Sequence, residues 1–72
     1  MTTKYELQYI DMMRKCKNYR KCQKITQSEV AEGMKVYQQD ICRIENFKTI
    51  PSVIKFLEYL DAIGLKIVLK EV

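Results

Sequence analysis

A chain of 72 residues has apolar material for one core and one domain, because a domain of this size buries only about 60% of the surface that its unfolded chain exposes. Its 47% apolar and 31% charged residues, with two Gly and one Pro, exclude a disordered tail and point to a compact, helix-leaning domain. The net charge is +4 and histidine is absent, which removes the commonest general base and nitrogen metal ligand, so the expectation is a basic binding module and not an enzyme.

Thr3, with Glu6 three residues on, begins a first helix in capping-box form. Tyr9, Met12, Met13, Cys16 and Tyr19 recur at helical spacing and carry it to about Cys22. Thr26, followed by Glu29, begins a short second helix that buries Val30, Ala31 and Met34. After Lys35-Val36-Tyr37, Ile41 and Ile44 define a third helix whose other faces carry Gln38, Gln39, Cys42 and Arg43. Residues 47–51 form a loop and Ser52 caps a fourth helix over 52–63, with an apolar stripe of Val53, Phe56, Leu57, Leu60 and Ile63 ending at Gly64.

The last segment, Leu65-Lys66-Ile67-Val68-Leu69-Lys70, changes period from 3.6 to 2 and is rich in branched residues, which predicts a strand over 65–70. No other segment has this pattern. An unpaired strand leaves its backbone donors and acceptors without a ladder, so the expected solution is pairing with the same strand of a second copy through Leu65, Ile67 and Leu69. A frayed tail or a last helical turn is the alternative.

Charge is localised. Residues 14–48 hold nine bases (Arg14, Lys15, Lys17, Arg20, Lys21, Lys24, Lys35, Arg43, Lys48) against four acids (Glu29, Glu32, Asp40, Glu45), which leaves a net −1 for the rest. Such a stretch is the footprint of a phosphate-binding surface, with a solvated cationic face as the alternative. Three cysteines (Cys16, Cys22, Cys42) cannot all pair within the chain and, without histidine, do not make a zinc site. No metal and no cofactor are expected. With no signal-peptide pattern and no apolar run of about 18 residues, the expectation is a cytoplasmic chain with free thiols and no membrane contact.

Residues 26–48, TQSEVAEGMKVYQQDICRIENFK, closely resemble the helix-turn-helix of the Cro/phage-repressor family, also called the xenobiotic-response-element family. The resemblance continues through Pro51-Ser52 and the Leu60, Ile63, Gly64 region and covers most of the chain. A fourth helix running into a strand is further similar to the HipB-type antitoxins. The resemblance implies a mostly α, four-helix repressor-type domain with a C-terminal strand paired across a dimer.

It also implies roles. Gln38, Gln39 and Arg43 match base-contacting positions, and their side chains have the chemistry for it, since glutamine takes adenine N6/N7 and arginine takes guanine O6/N7. Gln27, at the start of the second helix, matches a phosphate contact, as do Asn46 and Lys48 just after the third, with Lys35 and the bases of the first helix as weaker candidates. Arg20 and Glu45 match a buried ion pair that orients the recognition helix. The family favours glycine where this chain has Lys24, Lys35 and Phe47, and Asp40 on the third helix either repels phosphate or accepts from cytosine N4. Cys42 near the same face is read as a semi-buried filler in preference to a redox switch.

The functional expectation is a homodimeric, sequence-specific binder of double-stranded DNA with an inverted repeat, a transcriptional repressor of the antitoxin type that also neutralises a toxin protein. The alternatives are a free-standing phage or mobile-element regulator, and a protein-binding module that has lost DNA binding, for which Asp40 and the missing glycines are the arguments.

Overall fold

The Thr3 hydroxyl accepts a hydrogen bond from the Glu6 amide at 3.0 Å and starts the first of four helices in the computed structural model, which describes residues 3–71. In chain order these are α1 (Lys4–Cys22), α2 (Gln27–Met34), α3 (Gln38–Glu45) and α4 (Val53–Ala62). Each start is locally encoded. Thr26 and Glu29 form a reciprocal capping box on α2, and Ser52 accepts from the Lys55 amide on α4. α3 is capped from within: the Asp40 carboxylate reaches back to accept from the Tyr37 amide at 3.0 Å.

The helix ends share one geometry. Ile25 donates to Arg20 O, Val36 to Ala31 O, Lys48 to Arg43 O and Leu65 to Leu60 O, at 2.8–3.1 Å, so each helix closes with a bond five residues back. That closure places the preceding residue in the left-handed region, and these residues are Lys24 (φ 59°), Lys35 (58°), Phe47 (61°) and Gly64 (86°). Three of the four are not glycine, and each such position costs on the order of 1 kcal/mol. Ile25, Val36 and Leu65 offset part of this by packing half-buried against the core.

The core joins Met13 and Cys16 of α1, Val30, Ala31 and Met34 of α2, Ile41 and Ile44 of α3, and Phe56, Tyr59, Leu60 and Ile63 of α4 and its end. Tyr9 meets Phe47 edge-on and Phe56 at a tilt, with centroids 6.4 and 6.3 Å apart, and so ties α1 to the segment after α3 and to α4. No helix among the described residues is long and apolar enough to cross a membrane.

The structure corrects two sequence expectations. The strand over 65–70 is not formed: residues 65–71 carry no regular structure, and no strand occurs among the described residues. Period-2 patterning can prepare a strand but cannot make one, because its ladder needs a second edge that these four helices do not offer. Leu65 is anchored while Ile67 and Leu69 are exposed. In α4, Val53 and Leu57 do not join the core. Tyr59 takes the inward position instead and is fully buried, so the expected stripe splits between an inner and an outer face.

Candidate nucleic-acid interface

α3 buries Ile41, Ile44 and Glu45, and at about 100° per residue this turns Gln39, Cys42, Arg43 and the following Asn46 outward. All four are exposed, as is Gln38 at the edge of that face toward α2. The Ser28 hydroxyl donates to Gln38 Oε1 at 2.9 Å, which links the first turns of α2 and α3 and restricts the Gln38 rotamer before any ligand arrives. Arg43 lies 3.9 Å from Asp40 Oδ1, a long contact open to solvent on the Arg43 side, so it holds Arg43 only weakly. Asp40 itself is half-buried, with its other oxygen committed to capping α3.

The residues matched to phosphate contacts fall into two groups. Lys35 and Lys48 are exposed and form no ion pair among the described residues, so both ammonium groups are available to an anion. Gln27 and Asn46 are engaged. Asn46 Nδ2 donates to Cys42 O at 2.9 Å and to Cys42 Sγ at 3.2 Å, closing the end of α3. Gln27 is half-buried, and its Nε2 donates to Glu45 Oε1 at 3.0 Å.

Glu45 is the centre of this arrangement. Its side chain is fully buried and accepts from Arg20 Nε at 2.7 Å, Arg20 Nη2 at 2.8 Å, Gln27 Nε2 and the Tyr59 hydroxyl. Arg20 spends its remaining terminal nitrogen on Ile25 O at 2.6 Å. One carboxylate at the end of α3 therefore binds groups from α1, α2 and α4, which sets the angle at which α3 is presented. Burial pushes the Glu45 carboxyl up, but the hydrogen bonds from Arg20, Tyr59 and Gln27 outweigh it and hold the carboxyl below its usual value. The hydrogen bond to Glu45 raises Arg20 further, and burial together with Glu45 raises Tyr59 well above the ordinary phenol. Fully bonded on both sides, the pair supplies orientation more than net stability.

Tyr59 and the inward turn of Gln27 had no signal in the sequence beyond their residue types, since both depend on partners 14 and 18 positions away. Cys16 is buried, and that burial pushes its thiol up and away from reactivity, whereas Cys22 is exposed, and Cys42 is exposed too and not the semi-buried filler expected, because α3 turns its inner face to Ile41, Ile44 and Glu45. Leu65, Ile67 and Leu69 belong to the C-terminal segment and not to this surface. No family model, curated protein or solved structure matches the chain.

Proposed function

We propose that this chain is a sequence-specific double-stranded DNA-binding protein of the Cro/phage-repressor helix-turn-helix type, acting as a homodimeric transcriptional repressor in the cytoplasm. The observation that supports this most is the presentation of α3: an eight-residue helix whose outer face is Gln38, Gln39 and Arg43 and whose inner end is clamped to the other three helices through Glu45. A helix that reads base edges in a major groove needs amide and guanidinium groups at its first turns and a fixed approach angle. Both are present, with Lys48 and Lys35 free on its flanks to meet phosphates.

Two sequence features that argued for a protein-binding module have structural explanations. Asp40 is a helix cap first, with one oxygen occupied at the Tyr37 amide. The positions without glycine adopt the left-handed geometry anyway. Homodimerisation is supported by a C-terminal segment with strand periodicity and no partner among the described residues; two copies of 65–70 would complete each other as an antiparallel pair, and a two-fold dimer in turn calls for an inverted repeat. Within this function that segment favours the antitoxin role, in which the repressor also binds a toxin protein, over a lone regulator.

The test is selection of duplexes from a random library followed by titration across salt concentrations. The reading requires an enriched inverted repeat and a logarithmic salt slope of several units, since each phosphate contact contributes about 0.9. No enrichment and a flat salt response would sink it. A toxin-like reading frame beside this gene separates antitoxin from lone repressor.

A further inference from the structure

Between α3 and α4 the surface folds inward. Both helices pack on α2, and the crease that they leave between them has a volume of about 360 Å³. Its floor is apolar and reaches the core: Met34 and Ile44, both core residues, meet the half-buried Val36 and Pro51 there. A space of this size lies within the range of small-molecule sites, which are often set between helices of a bundle.

The charged groups that line the crease are Arg43, Lys55 and Asp40. Neither base is firmly paired. Arg43 lies 3.9 Å from Asp40 Oδ1 and Lys55 lies 3.8 Å from Glu58 Oε2, both longer than a hydrogen bond and on bases that are 56% and 50% exposed, so each is open to exchange with another anion. Asp40 opposes them only in part, because its Oδ2 accepts from the Tyr37 amide. The rim is thus net cationic above an apolar floor. A second groove has the opposite character, since Tyr5, Tyr9, Phe47 and Ile50 line it with Glu6 as the one charged residue of that lining.

We infer that the crease is a binding site for a small amphipathic carboxylate, a medium-chain alkyl or an aryl acid. The apolar body of the ligand lies over Met34, Val36, Ile44 and Pro51, and its carboxylate is held between Arg43 and Lys55. Burial of the body supplies affinity, and the two cations select the anion and fix its orientation. Occupation has a consequence for α3, which rests on the DNA-binding proposal: Arg43 carries one guanidinium, and a guanidinium closed on a ligand carboxylate cannot take guanine O6/N7. The ligand therefore acts as an effector that lowers affinity for the selected duplex. It does so by competing for one side chain, with no movement of α3, whose angle the bonds to Glu45 keep fixed.

Octanoate is the test ligand, with acetate and octanol as controls at constant ionic strength. Followed by amide NMR on the free full chain, octanoate should shift Met34, Val36 and Ile44 and bind with a dissociation constant below about 1 mM, within reach of about ten non-hydrogen atoms. Acetate lacks the body and octanol the charge, so each should bind at least about tenfold more weakly. Lys55→Gln should weaken octanoate about tenfold, the worth of one charge-assisted contact. Lys21→Gln, at an exposed base of α1 outside the crease, should leave it unchanged. At ten times its dissociation constant, octanoate should weaken the selected duplex about tenfold, the competitive factor for one shared site. No saturable binding, shifts centred on Tyr9 and Phe47, octanol as tight as octanoate, or equal losses from Lys55→Gln and Lys21→Gln would each overturn the inference. So would octanoate that fills the crease without weakening the duplex. Octanoate bound in the crease of a chain that shows no salt-dependent DNA binding would instead remove the DNA proposal and leave the site standing.

Discussion

The Tyr59 hydroxyl donates to Glu45 Oε2, so the carboxylate that Arg20 holds from α1 and Gln27 from α2 is held from α4 as well, and the last residue of α3 cannot turn without breaking bonds to three helices. Tyr59→Phe keeps the ring in the core and removes only this donor. The expected loss is about 1.5–3 kcal/mol, the range for hydrogen bonds to charged groups. Its pH dependence is diagnostic. A carboxyl held below its usual value stabilises the fold above the unfolded value, about 4.3 for glutamate, and that contribution is lost as pH falls through the folded value. Removing a donor lets the folded value rise, so the gap in urea stability between wild type and Tyr59→Phe should be widest near neutral pH and narrow below it. A gap that does not change with pH would mean that Tyr59 acts through packing alone.

Arg20→Met leaves the Glu45 carboxylate buried without its cation and should cost about 3–5 kcal/mol. Replacing both partners, Arg20→Met with Glu45→Leu, should cost clearly less than the sum of the single changes, because neither charge is then stranded. Urea unfolding of the four species measures the coupling. Additive losses would show that the two side chains act independently.

Gln39→Ala should reduce affinity for the selected duplex by about 1–3 kcal/mol and leave random DNA almost untouched. Ser28→Ala, which touches no base in this reading, should relax preference at the same base pair as Gln38→Ala, because the Ser28 hydroxyl restrains the Gln38 amide. Lys48→Ala should weaken all sequences alike and lower the salt slope by about one unit. Equal losses on selected and random duplexes for the glutamine variants would remove the base-reading assignment.

Lys35 closes α2 at φ 58° and is solvent-exposed, so Lys35→Gly relieves a left-handed residue without opening a cavity. Thermal unfolding should show a gain of up to about 1 kcal/mol. The same change at Phe47 should destabilise, because the ring that it deletes packs edge-on against Tyr9. A loss at position 35 would show that its conformation is not strained.

A rigid two-fold dimer carries two α3 faces at a set distance, and half-site centres should lie about 34–36 Å apart, one turn of B-DNA. Inserting about half a turn, roughly five base pairs, between the half-sites should abolish tight binding in an anisotropy titration. Unchanged affinity would mean that the two heads act singly or are flexibly joined.

The four helices and their beginnings were determined by the sequence itself. Thr3, Thr26 and Ser52 act on amides three residues ahead, within one turn of their own segment, so composition and spacing suffice to place them. The tertiary structure decided everything that depends on which side another element covers. It turned Gln27 inward to Glu45, put Tyr59 in the core, and left Val53 and Leu57 outside. Periodicity gives the width of an apolar stripe but not which part of it meets a neighbour, and a side chain's partner at a distance of 14 or 25 residues is set only when the helices close. The C-terminal segment marks the same limit from the other side: its alternation was legible in the chain, yet a β-ladder is a relation between two strands, and one chain supplies only the first.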